Sequence, residues 1–128
     1  MVITRIHVRG TERLVKEAVI TERGLSGKDD LVSVISKATL AYCRKEGREG
    51  LCTSKFRADL IVDELIPMKP GQKILCGTAE FEISSRRKLC HGGCSLEPEN
   101  CLLNDGVLFL RVSRPGVIKT GDLLIVIN

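Results

Sequence analysis

The chain has 128 residues, 43% hydrophobic and 28% charged, the profile of a folded globular protein at a length that suits a single domain over residues 1–128. Its only rings are one Tyr and three Phe (Tyr42, Phe56, Phe81 and Phe109), too few for a stacking platform on single-stranded nucleic acid. Twenty Lys and Arg against 16 Asp and Glu leave +4, scattered rather than blocked, which suits a small anionic ligand and falls short of the basic stripe of a duplex binder.

Thr4, Ile6 and Val8 alternate with Arg5, His7 and Arg9, which predicts a half-buried strand, with His7 at the surface or as a satisfied core residue. Leu14 to Ile20 is a further, mostly apolar stretch. Gly24 and Gly27 then bracket a loop that runs into Lys28, Asp29 and Asp30. Leu31 to Ser36 (LVSVIS) fits a helical face or a strand, and its Val and Ile content favours the strand. Ser36 caps a predicted helix from about Lys37 to Glu46, with Gly47 just past its end.

Beyond Gly50 the pattern turns β-rich. Leu60-Ile61-Val62 reads as a short strand, followed by a loop marked by Pro67 and Pro70-Gly71. Ile74 and Cys76, then Gly77-Thr78, then Ala79, Phe81 and Ile83 predict a hairpin with alternating faces. Val107 to Val112 and Leu123 to Ile127 are two more strands, with Arg114-Pro115-Gly116 and Thr120-Gly121-Asp122 as turns between them. Short strands with regular Gly and Pro turns and one or two short helices indicate a mainly β fold, a closed β-barrel or sandwich. A βαβ nucleotide-binding layout is disfavoured, because no glycine-rich phosphate loop follows a strand.

The opening residues MVITRIHVRGTERL mix charged and apolar positions, so no signal peptide is expected. The longest uncharged apolar run near the end, Leu123 to Ile127, is far too short for a bilayer. The expectation is a cytoplasmic protein with neither membrane nor nucleic acid as partner. In that reducing compartment six Cys point to metal binding or thiol chemistry rather than to disulfides.

Three of the six, with one His, fall in the segment Cys90-His91-Gly92-Gly93-Cys94-Ser95-Leu96-Glu97-Pro98-Glu99-Asn100-Cys101. Loops rich in Gly, Pro and Asn are poor places to bury three thiols as packing, whereas Cys43 on the helix and Cys76 on an apolar strand position suit the core. Cys52 stays open between loop residue and distant ligand. Cys90, Cys94 and Cys101 could fill a tetrahedral metal site with His91 or Cys52, although their spacing is not that of a zinc ribbon. Arg86, Arg87 and Lys88 directly precede Cys90, and neighbouring cations favour the thiolate that attacks sulfur or binds metal. His91 could move a proton near neutral pH, and the two guanidinium forks match phosphate oxygens.

Taken in order, these segments resemble the MOSC domain family, the module related to the C-terminal part of molybdenum cofactor sulfurases. Gly24-Leu25-Ser26-Gly27-Lys28-Asp29-Asp30 looks like its Gly-Leu-x-Gly-Asp-x-His segment, without the closing His. Val32-Ser33-Val34-Ile35 is similar to its "VSLL" strand, and Phe56-Arg57-Ala58-Asp59-Leu60-Ile61-Val62-Asp63 to "FRENIVVDG", with Asp59 in place of the Asn. Met68 to Ile74 resembles "LPVGTRL", and Gly116-Val117-Ile118-Lys119-Thr120-Gly121-Asp122 resembles the closing "GxIKxGD". The family's hallmark Cys falls on Cys90, and the Cys90-His91-x-x-Cys94 and Cys101 arrangement is similar to a subgroup associated with molybdopterin biosynthesis.

The resemblance implies a barrel of the MOSC, pyruvate-kinase-barrel-like type that presents a reactive Cys and handles sulfur, molybdenum or its pterin cofactor. Cys90 and His91 would be the reacting residues, and Cys90, Cys94 and Cys101 the thiolates that share a metal or a sulfur load. Arg57, Arg86, Arg87 and Lys88 would grip an anionic pterin phosphate or oxyanion, with Lys28, Asp29 and Asp30 as further pocket residues. The implied partners are a sulfur donor and a molybdoenzyme or cofactor-biosynthesis protein; whether the chain is an enzyme stays open. A rival of another class is a module in which Cys90, Cys94 and Cys101 hold zinc or an iron–sulfur cluster without catalysis.

Overall fold

A computed structural model of the chain describes residues 1–7, 14–25, 31–45, 58–84 and 106–127, with backbone alone over 43–45. The first strand, β1 (Ile3–His7), is followed by the short β2 (Leu14–Val15) and β3 (Glu17–Ile20). Next come β4 (Leu31–Ser36) and the helix α1 (Lys37–Lys45), then β5 (Leu60–Val62), β6 (Lys73–Cys76) and β7 (Ala79–Ile83). Three strands close the chain: β8 (Val107–Arg114), β9 (Gly116–Lys119) and β10 (Ile125–Ile127). The fold is mainly β, as the short apolar runs predict.

Eight strands form one sheet in the order β10-β6-β7-β8-β4-β5-β1-β2, while β3 and β9 pair with each other in a second, two-stranded sheet. Every pairing is antiparallel except β4 with β5, where Val34 lies level with Leu60. A parallel pair needs a long crossover, and α1 begins it. The helix starts where the sequence places a cap: Ser36 Oγ accepts the backbone N–H of Thr39 at 3.1 Å, which satisfies one of the donors that a helix start leaves open.

The β6–β7 turn is held by contacts that two glycines permit. Gly77 has φ +57 at the first position of the β6–β7 turn, and a Cβ there would run into the Val117 carbonyl oxygen. Gly116 lets β9 pass so close to that turn that a Cβ would lie 2.5 Å from the Thr78 carbonyl carbon. The close approach is stitched by the Thr78 N–H to the Val117 oxygen at 3.1 Å and by the Val117 N–H to Thr78 Oγ1 at 2.7 Å.

The main core lies on one face of the large sheet, where Ile3, Ile6, Val32, Val34, Leu60, Ile74, Phe81 and Leu110 are fully enclosed. Ile20 and Ile118 from the two-stranded sheet belong to the same cluster, so that sheet covers this face. Cys76 is buried there too, as its apolar strand position predicts.

The flanks of the sheet meet without a continuous ladder among the described residues. Val2 bridges Leu123, the Leu124 N–H donates to the Met1 oxygen at 2.7 Å, and the Ile3 N–H donates to the Asp122 oxygen at 3.0 Å. This bridge joins the β1 side to the lead-in of β10.

Three local expectations are revised. A register shift between Ile3 and Arg5 interrupts the pairing of the first strand, and His7, on the face opposite Ile6 as alternation predicts, is buried with its Nε2 unpartnered rather than satisfied. Leu14 to Ile20 splits into β2 and β3, which pair in different sheets. Between the two expected turns, Gly116 to Lys119 form an additional strand, β9, held by β3, and β10 begins at Ile125 rather than Leu123. No helix among the described residues is long and apolar enough to cross a membrane.

Candidate functional site

Strand alternation gives the large sheet a second face. Along β4, Val32 and Val34 enter the main core, whereas Leu31 and Ile35 join a smaller cluster with Ala58, Ile61, Val107 and Phe109, against which Leu40 of α1 packs. This smaller cluster is the apolar floor of the second face.

A row of polar residues crosses the same face. Ser33 stands between Leu31 and Ile35, and Asp59 lies two residues before Ile61. They are 1% and 2% exposed. The Ser33 N–H and hydroxyl both donate to Asp59 Oδ2, at 3.0 and 3.1 Å, and the Asp59 N–H donates back to Ser33 Oγ at 2.9 Å. A buried carboxylate is tolerated only when such donors replace water, and here each residue supplies what the other lacks. The row continues to β1 through the His7 N–H, which donates to the Asp59 carbonyl at 2.9 Å. On the other side Phe109 is paired with Ser33 and accepts the Ser84 N–H at 2.9 Å.

His7 is the exception in this row. Ile6 and Leu60 are register partners that point into the main core, so His7 and Asp59, one step further along each strand, face the other way. His7 is 8% exposed, and its Nε2 is sealed from solvent without a hydrogen-bond partner.

The site residues expected from the sequence lie outside the described residues. This holds for Lys28, Asp29 and Asp30, for Arg57, for Arg86, Arg87 and Lys88, and for Cys90, His91, Cys94 and Cys101. What is described is where the chain resumes or departs beside them. Leu31 follows Asp30 and Ala58 follows Arg57, and both belong to the floor cluster. Ser84, the last described residue before the cysteine segment, is bonded to Phe109 of that cluster, and Val107 belongs to the cluster just after the chain resumes at Gly106.

Ser33, Asp59 and His7 are named singly from the sequence, which does not bring them together as one row on this face. The available signals were a lone hydroxyl inside the apolar run LVSVIS and a carboxylate directly before Leu60-Ile61-Val62. No cluster of three or more His, Cys, Asp or Glu able to hold a metal ion occurs among the described residues.

By contrast, the Cys76 thiol on the main-core face is held inert. Burial, and then the charge of Asp122, push its pKa up to about 12 from an ordinary 9.0. A thiol that stays protonated is a poor nucleophile and a poor ligand.

The mainly β arrangement, with its long sheet, small second sheet and crossover helix, is a MOSC-like fold. The crystal structure of YiiM from Geobacillus stearothermophilus matches it with a TM-score of 0.65, at 20% sequence identity, over 99% of this chain and 74% of that one. No family model matches the sequence, and no curated protein does.

Proposed function

We propose that the protein handles sulfur or the molybdenum cofactor through a reactive Cys90, on the second face of a MOSC-like barrel. The observation that carries this reading is a convergence. The three stretches that hold the candidate residues all adjoin one small cluster, at Leu31, at Ala58 and at the Ser84–Phe109 bond with Val107. The described residues that flank these stretches, far apart in sequence, thus share one patch of sheet, which supports a composite site there. The Val2–Leu123 bridge supports the barrel, since it brings the two flanks of the sheet together.

Cations beside Cys90 favour its thiolate. That thiolate attacks the outer sulfur of a donor persulfide, the donor's S–S bond breaks, and the donor leaves as a thiolate that takes up a proton. Cys90 then carries the extra sulfur, and an acceptor nucleophile removes it by the reverse exchange. Cys94 and Cys101 share or resolve the load, and His91 carries the proton. Arg57, Arg86, Arg87 and Lys88 would hold the oxo or phosphate oxygens that a molybdenum centre or its pterin supplies, with Lys28, Asp29 and Asp30 at the pocket edge. The chain works as one domain in the cytoplasm, where its thiols stay reduced, and its partners are a sulfur donor and a molybdoenzyme or cofactor-biosynthesis protein.

Brief alkylation at pH 7, followed by peptide mapping, tests this reading. Cys90 is expected to be labelled first and Cys76 last, and equal labelling of all six thiols would overturn it. Metal analysis and intact mass of the freshly purified protein add a second readout. Persulfide or molybdenum supports the reading, whereas stoichiometric zinc or iron, with unfolding by a chelator, establishes the structural-metal alternative.

A further inference from the structure

We infer that the outer edge of β10 is a pairing surface for the β10 strand of a second copy of this chain. β10 ends the eight-stranded order, and among the described residues no strand lies beyond it. The backbone that covers its lead-in stops short of it. Val2 bridges Leu123 and the Met1 oxygen takes the Leu124 N–H at 2.7 Å, and among the described residues that seam goes no further. Leu124 is buried in the main core and Val126 packs against it, so Leu123 and Ile125 share the opposite face, where they are 53% and 51% exposed. An open row of backbone donors and acceptors beside exposed apolar side chains is a template for another strand.

Charge selects a second copy as the occupant. Edges that must stay unpaired are guarded by charges, proline, bulges or shortness. The other described edges carry such guards: β2 is two residues long and stands between Arg13 and Lys16, β3 opens on Glu17, and β9 closes on Lys119. Leu123 to Asn128 (LLIVIN) has neither charge nor proline, and the register of β10 with β6 runs unbroken from Ile125 to Ile127. An antiparallel pair about a two-fold axis sets a strand against itself, so a charge near the axis would meet its own like charge. With the axis at Val126, each Val126 faces its own copy and each Ile125 faces the other copy's Ile127, apolar against apolar. A charged partner segment would find no countercharge along this edge. A strand of three residues buries far less than the roughly 1,600 Å² of a standard stable interface, so the pairing is weak, reversible and concentration-dependent. It does not rest on the role of Cys90, and the two readings stand or fall separately.

Sedimentation of the whole chain under reducing conditions, from about 10 μM to about 1 mM, tests the pairing. The mean mass of the wild type is expected to climb from one chain towards two, and the amides of Ile125–Ile127 to exchange hydrogen more slowly at the high end. Ile125→Lys places a charge on the edge and is expected to weaken self-association about tenfold or more. Ile125→Thr keeps a β-branched side chain and is expected to weaken it less, and it carries the test should the Lys variant fold poorly. Tyr42→Lys removes a similarly exposed apolar side chain from α1 and is expected to leave self-association unchanged. A mass of one chain at every concentration overturns the proposal and leaves the edge to a different partner. So does self-association that both Ile125 variants leave intact, or that Tyr42→Lys weakens as much, since that marks general adhesion and not strand pairing.

Discussion

Neighbouring residues of β4 face two different environments. Val32 and Val34 are sealed in the main core with Phe81 and Leu110, whereas Ser33, between them, turns the other way and shares three hydrogen bonds with Asp59. Among the described residues, the main-core face buries apolar side chains, and the one thiol there, Cys76, is kept protonated. The second face has a smaller apolar floor, admits polar groups in matched pairs, and leaves one imidazole nitrogen unmatched. The difference teaches a division of labour: one face supplies stability and disarms its cysteine, and the other accepts polar groups that a stability-only design would exclude.

Emptying the main core should have the largest effect. Phe81→Ala removes a fully buried ring and should cost about 3–5 kcal/mol in urea denaturation. A loss below about 1 kcal/mol would mean that the second face carries the stability after all.

Breaking the polar pair comes next. Asp59→Ala strands the Ser33 amide and hydroxyl and should cost about 2–3 kcal/mol. Combined with Ser33→Ala, the double variant should be less destabilised than the sum of the singles by about 1–2 kcal/mol. Strict additivity would show that the two residues act separately and would remove the contrast between the faces.

The smallest effect at neutral pH is expected from Cys76→Val, below about 1.5 kcal/mol, because it nearly conserves volume. The contrast emerges in alkali. Above pH 9 the unfolded chain sheds the Cys76 proton, while the folded chain keeps it up to about pH 12. Folded protein therefore binds more protons in that window, and its stability falls as pH rises. Unfolding free energies of wild type and Cys76→Val should diverge between pH 9 and pH 12, with the wild type losing more. Parallel curves would show that the thiol is not held in a dry site.

Local rules read much of this fold. Ser36 followed by good helix formers located the start of α1, and Gly77-Thr78 between two alternating runs located the β6–β7 hairpin, because caps and tight turns are decided within a few residues. Strand β9 was hidden for the opposite reason. Gly116 to Lys119 is a short stretch between two turn signals, and it is held as a strand by β3 and by the Thr78 backbone, both distant in sequence. His7 lies on the face opposite Ile6, as alternation predicts, and its burial was not legible because it depends on neighbours distant in sequence. The cysteine segment lies outside the described residues, so its reading rests on composition and flanking charge alone. Ser33 and Asp59 were not, because each is unremarkable until 26 residues of chain are folded to bring them together.

The Ser33–Asp59 bonds also act as a checkpoint on strand alignment. Parallel neighbours separated by a long crossover have no tight turn to set their phase, and a shift of one residue inverts every side chain of a strand. Such a slip of β4 against β5 would thrust a hydroxyl into the hydrocarbon interior and strip a carboxylate of its donors, a penalty no rearrangement of methyl groups could disguise. Misaligned versions are thus rejected while the chain is still assembling, and Ser33 and Asp59 enter the finished molecule with a fixed offset.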